Sequence, residues 1–170
     1  TDTFDMIKSY ALKDETYDWE YSNFGIAVLG TTLGEVYNTS YKILAEDFIN
    51  KDLGLNQTHL GNGTGNLENY WTWNDDDTYL AAGGYVSTVT DLLKYGQMHI
   101  NDSPEYLAFS HKTYQTFKKN GFSMGLGWII DPETNYLWHN GGTSSYQSFL
   151  GFDKEHKTVA VVLSNYPAKD

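Results

Sequence analysis

The chain has 170 residues, a formal charge of −11 and no cysteine, and all 11 of its basic residues are lysine. No disulfide framework or thiolate metal site can be built from it, no run is long and apolar enough to span a bilayer, and an acidic chain without arginine is a poor candidate for nucleic acid. The length suits one domain that buries about 70% of its unfolded surface.

Taken in order, residues 1–20 are mixed, with an apolar patch (Met6, Ile7, Tyr10, Leu12) and an acidic approach to Tyr21. Thr1 is not a natural start and no signal peptide is visible, so the chain reads as excised from something longer. Asn23 is the expected N-cap of a helix over 24–37. Apolar residues nearly surround that helix, so it is expected to be buried on all sides, with Gly30 and Gly34 admitting a neighbouring backbone. Ser40 caps a second helix over about 41–50, with Ile43, Leu44 and Phe48 on one face, ended by Leu53-Gly54-Leu55.

Residues 56–78 read as loop. Asn74-Asp75-Asp76-Asp77 lacks the alternating acids and the glycine of a calcium loop, so a solvated turn is expected. Tyr70, Trp71, Trp73 and Tyr79 fit either a sugar-binding platform or a loop held to the core by its aromatics. Thr88 to Asp91 has the form of a capping box and opens a helix to about Ile100. Ser103-Pro104 starts a short helical segment, and Ser110 starts another that ends at Asn120-Gly121. From Phe122 the period changes to strand, with one over 126–130.

Three further strand-like runs close the chain: 136–139, 146–152 and 158–164. Asn140-Gly141-Gly142-Thr143 is expected as the turn between the first two. Its glycines point to a close backbone approach or to φ > 0. A histidine at a strand end followed by glycine N–H groups can build an oxyanion site, although a hairpin turn with an incidental histidine uses the same residues. The run 158–163 is continuously apolar and needs both faces covered and both edges paired. Helices and loops over 1–121, then antiparallel strands over 122–165, make the class α+β, with no internal repeat and no domain boundary across 1–170.

His139-Asn140-Gly141-Gly142-Thr143, followed by Ser148-Phe149-Leu150-Gly151-Phe152-Asp153 and by Val161 to Asn165, resembles the end of the serine β-lactamase and penicillin-binding protein superfamily. The branch is the class C β-lactamase, D-aminopeptidase and esterase group, where His-x-Gly often replaces Lys-Thr-Gly. Tyr21-Ser22-Asn23 resembles the Tyr-x-Asn motif, and Ala82 to Thr88 with Asp91-Leu92 resembles the segment between the motifs. The resemblance implies a truncated β-lactamase-like fold and acyl transfer on β-lactam, ester or D-amino-acyl peptide substrates. It implies a small-molecule or peptidoglycan-derived substrate and an extracytoplasmic location, and no cofactor is expected.

The same resemblance assigns roles. Tyr21 is the hydrogen-bonding base or proton relay beside the nucleophile, Asn23 orients the substrate amide or the lysine, His139 stands where relatives carry lysine, and Gly142 gives one oxyanion N–H. Gly141, Thr143 and Ser145 line the substrate edge. A phenol ordinarily titrates near 10, so the relay role needs neighbouring positive charge. An imidazole anchors anions less strongly at neutral pH than an ammonium, which favours esters or D-amino-acyl substrates over β-lactams. Taken singly, these residues also read as a core tyrosine, a helix cap and a turn histidine.

The family nucleophile lies in Ser-x-x-Lys, and none of the eleven serines has lysine three residues later. The chain is therefore expected to be the C-terminal part of a longer hydrolase and inactive alone. Its partners would be the missing N-terminal segment or a second copy joined through the sheet. Departures from the family fall at Ser144-Ser145, where glycine or proline is usual, at Lys154, where proline is usual, and before Tyr21, where Pro-Gly is missing. The alternative from another class is a non-catalytic module that binds cell-wall peptide or sugar.

One rival motif, Gly121-Phe122-Ser123-Met124-Gly125, fits the Gly-x-Ser-x-Gly nucleophile elbow, with Asp131 and His139 or Asp153 and His156 following in order. The elbow needs a strand before the serine and a helix after it, whereas a helix bearing Tyr114 and Phe117 is expected before Ser123 and a strand after it. The five histidines show no metal-ligand spacing.

Overall fold

A computed structural model of the chain describes residues 3–11, 13–15, 17–61, 67 and 70–166. Leu12, the Met6 side chain and the loop positions 62–66, 68 and 69 lie outside the described residues. The chain forms two compact units, one built from residues 1–54, 58–67 and 71–86, the other from 55–57, 68–70 and 87–170.

The first unit is mainly helical. Helix α1 (Thr3–Ser9) precedes α2 (Asn23–Tyr37), which Ser22 caps by accepting the Gly25 N–H at 2.9 Å. The cap is therefore Ser22 and not Asn23. Both residue types cap well, but Ser22 holds the extended backbone a cap needs, and Asn23 is already helical. Asn38 ends the helix in the left-handed region.

Burial of α2 departs from expectation. Its buried residues are Ala27, Gly30 and Gly34, while Ile26, Leu29 and Val36 are exposed. The small face, not the large one, meets its neighbour: a Cβ on Gly30 would overlap the Ala81 methyl, and one on Gly34 would lie 2.9 Å from the Thr39 carbonyl oxygen. The expected close approach at the glycine pair is thus present, and it turns the bulky side chains outward.

Ser40 caps α3 (Tyr41–Asp47) by accepting the Ile43 N–H at 3.2 Å. The α-helix stops three residues earlier than expected and continues as a wider π turn over Phe48–Asp52. That widening puts Ala45, Ile49 and Leu53 inside and leaves Ile43 and Phe48 exposed. A short strand β1 (His59–Leu60) stands where only loop was expected. It pairs antiparallel with β2 (Tyr85–Val86), which follows the single turn α4 (Leu80–Gly83). Asn74 to Asp77 is the expected turn, closed by the Asn74 N–H on the Asp77 carboxylate at 2.8 Å.

The second unit is helix α5 (Val89–Asn101), a 3₁₀ segment (Glu105–His111) and a six-stranded antiparallel sheet in the order β3-β4-β5-β6-β7-β8. The strands are β3 (Gln115–Phe117), β4 (Phe122–Met124), β5 (Ile129–Ile130), β6 (Leu137–Thr143), β7 (Tyr146–Asp153) and β8 (Thr158–Ser164). Half of the predicted capping box forms. Thr88 accepts the Asp91 N–H at 3.2 Å, but the buried Asp91 carboxylate accepts the Gln57 N–H at 2.8 Å instead of closing the box.

The helix expected up to Gly121 is replaced beyond His111 by β3. Tyr114 and Phe117 have helical spacing, but Gly121 at φ +74° turns the chain back so that Gln115 to Phe117 pair with Phe122 to Met124. The strand expected over 126–130 is reduced to β5 (Ile129–Ile130), because Gly127 turns the chain at φ +77°, and β4 comes before the expected span. Gly125 also sits against Ser110, where a Cβ would overlap the carbonyl oxygen.

The α+β class stands, with an antiparallel sheet as expected. Its core is Phe152, Ile130, Leu137, Trp128 and Ile100, joined by Tyr95, Leu150 and Val159. Helix α5 lies on one sheet face, close enough that a Cβ on Gly96 would overlap Val159. Strand β8 is a sheet edge, and Ala160 and Val162 on it are exposed.

Candidate active site

In the first unit, Tyr21 and Asn23 flank the Ser22 cap at the start of α2, and both are exposed. The cap serine sets this geometry. Its hydroxyl holds the first turn, which places Tyr21 just before the helix and makes Asn23 its first residue.

In the second unit, the segment expected as a turn is strand. Register pairs His139 with Leu150, Gly141 with Ser148, Gly142 with Gln147 and Thr143 with Tyr146, leaving Ser144-Ser145 as the connection. His139 therefore lies in the middle of β6 and not at its end. The left-handed backbone falls on Ser144 at φ +50° and on neither glycine. Two-residue connections are the commonest hairpin loops, and a four-residue turn at Asn140 was the wrong length. The glycines serve the close approach instead. A Cβ on Gly141 would lie 2.7 Å from the Ser148 hydroxyl, and one on Gly142 would lie 3.1 Å from the Gln147 amide oxygen.

The direction of the Gly142 N–H follows from the pairing. The pair that closes a two-residue hairpin is hydrogen-bonded, and backbone groups along an antiparallel strand then alternate between its two sides. Thr143, Gly141 and His139 turn theirs to β7, so Gly142, Asn140 and Trp138 turn theirs to the side of β5. The Asp131 N–H on the Tyr136 carbonyl at 2.9 Å fits this alternation. β5 pairs only with Leu137 and Trp138. Asn140 and Gly142 thus present their backbone groups along the stretch of β6 that β5 does not reach.

The His139 ring leans over that same edge, with its Nδ1 2.6 Å from the Asn140 carbonyl oxygen. A carbonyl only accepts, so Nδ1 carries the proton, and in the neutral ring Nε2 is the acceptor. Thr143 and Ser145 are half-buried at the hairpin end, and Tyr146 meets Tyr70 edge-to-face at 5.6 Å. A backbone N–H that the sheet does not use suits a polarised carbonyl oxygen, and the imidazole acceptor suits a donor group of the same ligand.

The Gln147 amide, lying over Gly142, went unnoticed in the sequence. Counting back from a two-residue turn would have found it, because that register places position 147 opposite 142. The structure brings His139, Gly141, Gly142, Thr143 and Ser145 together on one hairpin and holds Tyr21 and Asn23 together on one helix start.

The elbow motif has no elbow. Ser123 lies inside β4, 4% exposed, with its hydroxyl 2.9 Å from that of Thr116. A strand, not the expected helix, precedes it, and Ser123 sits on no turn. Trp71 and Trp73 meet edge-on, at 5.9 Å and 66°, so they form no flat platform for a sugar face. A cavity of about 330 Å³ in the first unit, lined by Gly30, Tyr41, Asp75 and Leu80 among others, includes none of the predicted site residues. Among the described residues, no cluster of three or more acidic or histidine side chains could hold a metal, and no helix is long and apolar enough to cross a membrane.

The family model described as Beta-lactamase matches residues 2–170. Among solved structures, an octameric penicillin-binding protein homologue from Pyrococcus abyssi superimposes with a TM-score of 0.76 at 23% identity, over 94% of this chain and 41% of that one. A class C β-lactamase gives 0.76 at 20% identity, over 99% of this chain and 60% of the other. The D-amino acid amidase from Ochrobactrum anthropi SV3, complexed with L-phenylalanine, gives 0.72 at 21% identity, over 96% and 54%. The chain thus spans between about two fifths and three fifths of the length of these structures. No match was found among curated proteins.

Proposed function

The chain belongs to the Beta-lactamase family, and from that premise we propose that it supplies part of the active site of a serine acyl hydrolase whose nucleophile comes from a Ser-x-x-Lys segment outside these residues. Tyr21 relays the proton between nucleophile and leaving group. Asn23 orients the substrate amide or the lysine. Gly142 donates one of two oxyanion N–H groups, and the serine's own N–H is the other. Gly141, Thr143 and Ser145 border the bound acyl chain.

One observation supports this reading most: the Gly142 backbone faces away from β7 on a stretch of β6 that β5 leaves unpaired, with the His139 ring beside it. An imidazole at that position binds a substrate carboxylate less strongly than an ammonium would, and this favours esters and D-amino-acyl substrates over β-lactams. By the same reading the 170 residues alone are inactive, since covalent catalysis needs the absent nucleophile. The outer edge of β8 is where the chain pairs with more polypeptide, either another segment of its own parent or a second copy.

Incubation with a fluorescent penicillin and a chromogenic D-amino-acyl ester, followed by intact mass, tests the assignment. The 170-residue chain should gain no acyl adduct. A protein joining it to a Ser-x-x-Lys segment should be acylated at that serine and lose about 10²-fold or more in rate with Tyr21→Phe. An adduct on any serine of the 170 residues, or an unchanged rate in the Tyr21→Phe variant, would overturn it.

A further inference from the structure

The second unit contains a line of four ionisable side chains far along the chain from the Tyr21 motif. Lys154 Nζ lies 2.6 and 2.7 Å from the two Asp102 carboxylate oxygens and 3.4 Å from His111 Nδ1. His111 Nδ1 is 3.3 Å from the same carboxylate, and His111 Nε2 is 2.6 Å from His99 Nδ1. His99 is 1% exposed. Its ring stacks on Phe152 at 5.1 Å and meets Trp128 and Tyr95 edge-to-face at 5.0 and 4.4 Å.

The line joins three parts of the unit. His99 and Asp102 belong to the end of α5, where Asp102 is the left-handed cap. His111 ends the 3₁₀ segment, and Lys154 lies in the turn between β7 and β8. These elements meet over Phe152, the fully buried centre of the core.

Its proton content is limited by geometry. Two imidazoles in direct nitrogen contact share one proton between them, so the neutral pair is a single donor and a single acceptor. Lys154 and Asp102 cancel in charge. A further proton has to sit on an outer nitrogen, either His99 Nε2, which is buried without a hydrogen-bond partner among the described residues, or His111 Nδ1, beside the one carboxylate that lysine already holds, and it leaves a net positive charge beside three aromatic rings. A buried charge without its own counter-ion is expensive.

We propose that His99 and His111, with Asp102 and Lys154, form an acid-operated latch: protonation of the pair releases the end of α5 and the 3₁₀ segment from the β7–β8 side of the core. The groups facing the pair are few. Helix α5 presents Tyr95 and Asp102, the 3₁₀ segment carries Tyr106, which acts on Tyr95, and the turn presents Lys154. Trp128 and Phe152 complete the surroundings and carry no charge.

Burial, then the neighbouring His111, pushes His99 down to about 3, and burial followed by Lys154 lowers His111. A histidine whose folded value is depressed contributes stability that is present above its ordinary value near 6.5 and is lost as pH falls towards the folded value. The latch is therefore closed at neutral pH and weakens progressively below about 6.5.

Hydrogen exchange of the 170-residue chain, corrected for intrinsic rates, tests this. Amides of residues 98–111 should lose at least tenfold in protection between pH 7 and pH 5, while those of 146–152 keep theirs. The double variant His99→Phe, His111→Phe should remove that difference. Equal protection of 98–111 at the two pH values, or the same loss in the double variant, would overturn the proposal. Should the double variant not fold, NMR titration of the imidazoles in the unaltered chain decides. The His99 ring should take its proton only over the pH range in which protection is lost. A His99 ring that titrates while 98–111 stay protected would overturn the latch.

Discussion

Gly30 of α2 and Ala81 of α4 are packed so closely that a methyl group on the glycine would overlap that of the alanine. Alanine is otherwise the better helix residue, by about 1 kcal/mol. Overpacking a close contact costs about 1–3 kcal/mol, so Gly30→Ala should destabilise the first unit on balance, and Ala81→Gly should recover part of the loss. Urea unfolding of the two single variants and the double variant measures the coupling. Independent, additive effects would show that the two residues do not touch.

This contact also shows what the sequence could reveal. The glycine spacing announced a close neighbour on α2. The conclusion that the helix is buried on every side failed, because composition counts apolar residues without telling which face has a partner. Strand β3 stayed hidden for a similar reason. Tyr114 and Phe117 have helical spacing, and only the Gly121 turn and pairing with β4 put Phe117 in a strand, with Tyr114 just before it. In the site, residue identities were legible and register was not. His139 to Thr143 stood out by resemblance, but moving the turn to Ser144-Ser145 decided which way the Gly142 N–H points.

Lys157, in the turn between β7 and β8, holds φ +51° without being glycine. Left-handed backbone costs an L residue roughly 1–2 kcal/mol, while glycine adds freedom to the unfolded chain. Lys157→Gly should stabilise the second unit by about 0.5–1 kcal/mol. A denaturant midpoint that stays level or falls would mean that the lysine side chain offsets the strain.

The same turn joins the end of β7 through a pair, exposed His156 Nδ1 on the half-buried Asp153 carboxylate at 2.6 Å. Hydrogen bonding to Asp153, then its charge, raises His156, and the His156 backbone N–H and then its ring lower Asp153. The histidine's raised value means that its contribution is present below the ordinary histidine range and is lost as pH rises through the folded value. The depressed aspartate contributes above the ordinary carboxylate range and loses its contribution as pH falls through its folded value. The pair is therefore best formed between the two titrations. NMR titration should show His156 returning towards its ordinary value in Asp153→Asn. An unchanged midpoint would place the cause elsewhere.

Strand β8 is the edge of the six-stranded sheet, and among the described residues β7 is its only strand partner. A seven-residue edge strand presents a row of outward N–H and C=O groups, a template for another strand. Here the edge is also apolar, with Val162 60% exposed on the face away from α5 and Leu163 38% exposed. Natural edges are commonly blunted by charge, and Thr158 to Ser164 carry none. The 170-residue chain should therefore associate with itself through β8 at high concentration. Sedimentation velocity across a hundredfold concentration range should show the association. Val162→Lys should weaken it strongly with little change in stability, because the added charge stays in water in the monomer and charged side chains on an edge strand disfavour pairing with another chain. The same substitution on an exposed residue of the other unit, Val36→Lys, is the control and should leave the association intact. A chain that sediments as a monomer throughout, or one that both substitutions disrupt equally, would remove β8 as the contact.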